Sequence, residues 1–142
     1  MYCTTVTYNS KSYFEMTELR NKVLREPLGL VLTKEELEKE NQDIFIAGIK
    51  NEKIICCCIL STIDFSLVKL RQMAVHPDFQ GKNYGMNLLK YTEKIAQEKG
   101  FTSILLHARE SAVNFYLKAG YITSGDNFTE VGILHKKMTK NI

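Results

Sequence analysis

The stretch LVKLRQMAVHPDFQGKNYGMNLL, residues 67–89, decides the fold. Val68 and Leu70 alternate with Lys69 and Arg71, the two-residue period of a strand with one buried face. Past Gln72 the apolar positions become Met73 and Val75, so the phase slips by one residue. A single extra residue, a β-bulge, produces such a slip and leaves backbone groups free beside it; a strand end buried on both faces gives the same pattern. The bulge is the preferred reading. The strand pattern stops at His76-Pro77, and a helix runs from about Tyr84 to Lys99.

Between them lies Gln80-Gly81-Lys82-Asn83-Tyr84-Gly85. A helix start exposes unpaired N–H groups and carries partial positive charge, so a loop of this kind can cradle phosphate oxygens. Glycine allows close backbone approach and positive φ, Asn83 tolerates the left-handed region, and Lys82 adds a cation. Taken alone, the segment reads equally as an ordinary strand-to-helix turn. It is neither a Walker loop, which needs Ser or Thr after Gly-Lys, nor a Rossmann loop, which needs G-x-G-x-x-G in an early βαβ unit.

Working outward, Val6 and Tyr8 suggest a short first strand. From Ser12, the spacing of Phe14, Met16, Leu19, Val23 and Leu24 predicts a helix that stops before Pro27, with Gly29 marking the break. Thr33 and Glu36 form a capping box for a short helix. Strands follow at Asp43–Ile49, Lys53–Ser61 and Leu67–Val75, the first two joined by a hairpin at Lys50–Lys53. After the long helix come a strand at Ser103–His107, a helix at Ser111–Ala119, and strands near Tyr121–Thr123 and Val131–Met138. An antiparallel meander followed by β-α-β-α-β predicts an α/β (α+β) domain with a mixed sheet, residues 1–142 forming one domain.

Composition excludes more than it selects. The chain is 44% hydrophobic and 25% charged with net charge +3, which argues against nucleic acid as a partner, there being no basic block. The apolar run Ile54–Leu60 is too short to span a bilayer, and the N-terminal residues lack the order of a signal peptide. A cytoplasmic location without membrane association is expected. Of the four cysteines, three are consecutive, with Cys56 and Cys58 on one face of a strand and Cys57 on the other. Adjacent cysteines make poor disulfide partners and no paired Cys-x-x-Cys offers a zinc site, so they read as small buried hydrophobes, and no metal is expected.

Residues 70–100 together with LLHARESAVNFYLKAGY (105–121) resemble the core of the GCN5-related N-acetyltransferase (GNAT) superfamily. Gln80, Gly81, Lys82, Asn83, Tyr84 and Gly85 fill that family's Q/R-x-x-G-x-G/A loop in order, with Asn83 standing where glycine is most frequent. The family also carries a bulge in the preceding strand. FTEVGILHKKM (128–138) is similar to the F-x-E-x-G-I-x-H-x-x-M ending of a bacterial subgroup. The resemblance implies a mostly antiparallel sheet splayed after the central bulged strand and flanked by helices. It further implies an acetyl-CoA-dependent N-acetyltransferase acting on an amine of a small molecule or peptide, and homodimers are common in the family.

On that resemblance the cofactor pyrophosphate sits on the amides of Gly81 to Gly85, with Gln80 and Met86 at the ends of the loop. Backbone groups of Met73, Ala74 and Val75 hold the pantetheine arm, and Asn114 is a further contact. Transfer requires a neutral amine, stabilisation of the developing oxyanion and a proton for the thiolate. Tyr116 matches the tyrosine of the family's LYEKLGF-type segment and is the expected proton donor, a phenol having an ordinary pKa of about 10. Without the family it reads as a tyrosine packed on an amphipathic helix.

The base is open. Glu130 and His135, placed on the last strand five residues apart, should face opposite ways. His135 is of the residue type most often used as a general base and shares a face with Val131 and Ile133; a buried or edge histidine satisfied by backbone is its alternative. His107, at a strand end, is a third candidate, and bulk water or the substrate a fourth. Arg20, Arg25 and Glu26 fall where the family shapes the acceptor pocket, or they form a solvated helix end. Two other functions compete with acetyl transfer: a non-catalytic acyl-CoA-binding sensor or interaction domain, and a nucleotide- or phosphate-binding enzyme using the same loop.

Overall fold

A computed structural model describes residues 1–142. Three helices pack on the two faces of one sheet. The strands are β1 (Tyr2–Val6), β2 (Ile44–Lys50), β3 (Lys53–Thr62), β4 (Leu67–Val75), β5 (Ser103–Arg109), β6 (Ile122–Glu130) and β7 (Ile133–Asn141). They form a seven-stranded sheet in the order β1-β2-β3-β4-β5-β7-β6. All neighbours are antiparallel except β4 and β5, so the sheet is mixed as expected. Helix α1 (Lys11–Arg20) buries Tyr13, Met16 and Leu19 against Phe45, Cys57, Ile59 and Ala74 on one face. On the other, α3 (Tyr84–Glu98) and α4 (Val113–Lys118) bury Leu88, Leu89, Ala96 and Tyr116 against Cys56, Cys58, Val68, Leu70, Ile104 and Leu106. The cysteines divide between the two faces as strand alternation requires, and all are free thiols.

The short helix α2 (Lys34–Glu38) carries the expected capping box, Thr33 and Glu36 each bonding the other's backbone N–H. The helix expected to stop before Pro27 does so in stages. After α1 the chain widens into one π turn, Asn21–Arg25, tightens into a 3₁₀ turn, Glu26–Leu28, and ends at Gly29 with φ 72°. No helix is long and apolar enough to cross a membrane.

Two expectations need correction. The first strand lies at Tyr2–Val6, and Tyr8 instead stacks between Tyr13 and Phe45. The last hairpin is also longer than its sequence signals: β6 reaches Glu130, and Val131-Gly132 is the turn, with φ 47° and 75°. Two consecutive residues of positive φ match the twist of a tight hairpin. Val131 therefore leaves the strand it was assigned to, and Glu130 and His135 lie on different strands.

The bulge is present. Cys57 pairs with Ala74 and Ile59 with Arg71, so Cys58 alone faces Gln72 and Met73. Gln72 takes φ 53°, a conformation costing an ordinary residue about 1–2 kcal/mol. Its side chain is held from the α1 face, where Arg20 Nε donates to Gln72 Oε1 at 3.3 Å. Beyond the bulge, β4 and β5 part: their ladder runs only from Leu67–Ser103 to Leu70–Leu106.

Candidate active site

Where β4 and β5 separate, the edge of β4 from Arg71 to Val75 that faces β5 has no ladder partner. A cavity of about 340 Å³ opens in this fork. Met73, Ala112 and Tyr116 line it near the splay. Strand alternation sends Lys69 and Arg71 from β4, and His107 and Arg109 from β5, to its α1-facing side, and the π turn brings Leu24 and Arg25 to the wall. The β6–β7 hairpin closes it with Glu130, Val131 and His135.

At the C-terminal end of β4 the loop takes the expected shape. Gly81 has φ 73° and Asn83 φ 71°, so asparagine holds the left-handed conformation here. A Cβ at Gly81 would meet nothing within 4 Å, leaving its backbone open to close approach. No side chain caps α3, so the first-turn amides of Tyr84, Gly85 and Met86 have no acceptor in the chain. Gly85 has another reason to be small: a Cβ there would lie 3.3 Å from Val75 Cγ2 and 3.5 Å from the Phe115 ring. Gln80 bends back, its Nε2 donating to the Val75 carbonyl at 2.9 Å, and Lys82 Nζ lies 5.9 Å over the Phe79 ring.

Tyr116 is 8% exposed, and its hydroxyl donates to the Met73 sulfur at 3.4 Å. A thioether is a weak acceptor, so this proton has no strong internal partner. Burial, with a smaller contribution from Cys58, pushes the phenol well above its ordinary value. Such a group holds its proton firmly and is available as a hydrogen-bond donor.

Glu130 lies between two histidines: Oε1 is 3.4 Å from His107 Nδ1, and Oε2 is 3.7 Å from His135 Nε2. The tight turn brings Glu130 and His135 to one end of the hairpin, correcting the expectation that they point apart. His135 is buried, and its Nδ1 lies 2.8 Å from the Ile133 carbonyl. A carbonyl only accepts, so Nδ1 carries a hydrogen and Nε2 is the nitrogen turned toward Glu130.

Among the acceptor-pocket candidates, Arg25 lines the cavity and pairs with Glu36 at 3.2 Å. Arg20 does not line it. It is 0% exposed and makes a bidentate ion pair with Glu40, which also accepts from the Tyr13 hydroxyl. Its role is to support the bulge residue Gln72. Glu26 is exposed on the 3₁₀ turn outside the cavity, Asn114 is exposed on α4 and also off its wall, and the Ala74 side chain is packed in the α1-side core, leaving only its backbone.

Lys69, Arg71, Gln72 and Arg109 line the cavity without having been singled out from the sequence. Period-two alternation with His107 could have found Arg109. Burial lowers Lys69 against the opposing charge of Glu130, and burial together with the charge of Arg25 lowers Arg109.

The sequence profile of the acetyltransferase (GNAT) domain matches residues 15–142. The chain belongs to the GNAT acetyltransferase family, and its fold is the acyl-CoA N-acyltransferase fold. It is similar to YyaT of Bacillus subtilis (strain 168), an uncharacterized protein, with 38% identity over 74 residues, 52% of this chain and 50% of YyaT. The matched segment spans about half the length of the curated relatives it matches. Among solved structures, an aminoglycoside 6'-N-acetyltransferase complexed with coenzyme A superposes with a TM-score of 0.83 at 16% identity, covering 99% of this chain and 97% of that one. A GNAT family acetyltransferase from Elizabethkingia anophelis with acetyl-CoA bound gives 0.76 at 19% identity, again covering 99% and 97%. At these identities the likeness is one of fold.

Proposed function

We propose that this chain transfers the acetyl group of acetyl-CoA to a primary amine in the fork between β4 and β5. The observation that carries the reading is the run from the uncapped start of α3, along the unpaired edge of β4, to the Tyr116 hydroxyl. A diphosphate suits the first-turn amides and the open backbone at Gly81. An extended amide-bearing arm suits a strand edge with free donors and acceptors. Gln80 takes one of the two acceptor positions of the Val75 carbonyl, leaving the other open to the arm.

The thioester, when bound, supplies an acetyl group activated toward amines. The chain's own residues do the rest. Tyr116 donates a hydrogen bond to the sulfur as the C–S bond breaks and, keeping its own proton, leaves the thiolate to take one from solvent. Glu130 and His135, at the hairpin end of the cavity, receive the proton of the incoming amine, with His135 Nε2 the accepting atom and Glu130 stabilising the charge that forms. His107 holds the other Glu130 oxygen. Transfer is thus a direct attack, with acid-side and base-side groups on different walls of one cavity.

The experiment is a pair of measurements on the full chain. Acetyl-CoA should raise the melting temperature more than ATP or NAD does, since ligands that bind the native state stabilise it. Thiol release across an amine series should then detect turnover. Stabilisation by acetyl-CoA with no turnover on any amine would replace this reading with that of a non-catalytic acyl-CoA-binding domain.

A further inference from the structure

The charge balance of the cavity is lopsided. Four cations line it, Arg25, Lys69, Arg71 and Arg109, against the single carboxylate of Glu130. Two of the four are neutralised from outside the wall: Arg25 by Glu36 at 3.2 Å and Arg71 by Asp43 at 3.2 Å. Lys69 and Arg109 form no ion pair with any carboxylate of the chain, although both are partly buried. Arg109 makes one hydrogen bond, from Nη2 to the Leu24 carbonyl at 2.8 Å. A guanidinium presents five donors in a planar fork, so most of this one is unused. The Leu24 contact also sets it next to Arg25, a like charge.

Arg109, which no carboxylate opposes, and Lys69, opposed only by the Glu130 that already faces two histidines, leave the cavity with uncompensated positive charge, an incomplete site open to ligand. Desolvated charge is costly unless paired, and a carboxylate matches the guanidinium fork with two parallel hydrogen bonds. We infer that the acceptor carries a carboxylate beside its amine, and that Arg109, assisted by Lys69, binds that carboxylate while the amine faces Glu130 and His135. The acceptor class is therefore a small amino acid-like molecule. A polycationic amine meets repulsion from the same residues. This deepens the acetyl-transfer reading and rests on it.

The test uses binding, so that it does not depend on turnover. The full chain, with and without coenzyme A, is titrated calorimetrically with N-acetylglycine and N-acetylalanine and with their carboxamides, which keep the shape and lose the charge. The acids should bind tighter by about tenfold or more, as expected for hydrogen bonds to a charged partner. Arg109→Gln should shrink that preference to below about threefold, acid binding weakening more than amide binding. Lys69→Met, which leaves the Leu24 contact intact, should shrink it partly, and Arg109→Lys should restore part of it. The inference is overturned if acids and amides bind alike, if neither binds, or if a folded Arg109→Gln keeps the wild-type preference. The acetyl-transfer reading fails separately, when acetyl-CoA gives no thermal stabilisation or no amine is acetylated.

Discussion

Glu130 Oε2 and His135 Nε2 stand 3.7 Å apart across the Val131-Gly132 turn, and the hydrogen on His135 Nδ1 is committed to the Ile133 carbonyl. In the proposed reaction the two act as a pair, the carboxylate stabilising the imidazolium once Nε2 has taken the amine proton. His135→Gln should lower kcat about a hundredfold or more, and Glu130→Gln by a smaller factor, in the range of a general base's contribution. The double variant should be no worse than His135→Gln alone, because groups acting as a unit are non-additive. Thiol release at saturating acetyl-CoA checks this; additive losses would separate the two residues.

Tyr116→Phe should cut kcat about a hundredfold with little change in acetyl-CoA binding by calorimetry, since the hydroxyl is offered to the leaving sulfur. Burial raises the phenol, so it stays protonated past the ordinary tyrosine value. No loss of kcat assignable to Tyr116 is therefore expected between pH 7 and pH 10, about the unperturbed tyrosine pKa. A wild-type alkaline fall in that range that vanishes in Tyr116→Phe would contradict the assignment.

Asn83 already holds φ 71° at the head of α3. Asn83→Gly should move acetyl-CoA affinity by no more than about threefold and stability by under about 1 kcal/mol, the gain in left-handed freedom being offset by chain entropy. Asn83→Val should weaken acetyl-CoA binding clearly, because a β-branched side chain opposes the conformation. Equal affinity in both variants would show that the loop shape is not what matters.

The Arg20–Glu40 pair is buried, and removing Arg20 leaves the Glu40 charge only the Tyr13 hydroxyl and a distant Arg71 at 3.9 Å. Arg20→Met should cost about 3–5 kcal/mol in urea unfolding, and Arg20→Met with Glu40→Leu should recover much of it. Tyr13, which donates to Glu40, is pushed up to about 12, first by burial and then by that hydrogen bond. Its folded-state value lies above the unfolded one, so this stabilisation is complete below about pH 10. It is lost as pH rises toward 12.

Burial pushes Cys56 and Cys58 up to about 12 and Cys57 higher still. At pH 8 a thiol reagent should label the native chain at Cys3 alone, and slowly, since its thiol is also raised by burial. All four thiols should react in guanidinium, by mass spectrometry. Rapid native labelling of the Cys56–Cys58 strand would contradict its packing.

What could be read from the sequence was local. The phase slip at Gln72 and the turn chemistry of Gly81 and Asn83 each lie within a few residues, so the bulge, the loop and the helix start were legible. The Arg20–Glu40 pair was not, because nothing near Arg20 distinguishes a helix-end arginine that meets solvent from one that meets a glutamate 20 residues on. β6 was cut short because Ser124, Gly125, Asp126 and Asn127 carry no alternation on a strand exposed on both faces. The Glu130–His135 pair was hidden by Val131, a β-branched residue in a left-handed turn position that composition assigns to a strand.

The parting of β4 from β5 has a mechanical consequence. The two portions of the sheet, β1 to β4 and β5 to β7, are stitched by the shortest ladder in it, the four pairs from Leu67–Ser103 to Leu70–Leu106. A wedge-shaped gap above so brief a seam makes this junction the part of the sheet held by fewest ladder hydrogen bonds. Whatever fills the gap acts as a splint, and amide exchange at residues 104–106 should slow when it does.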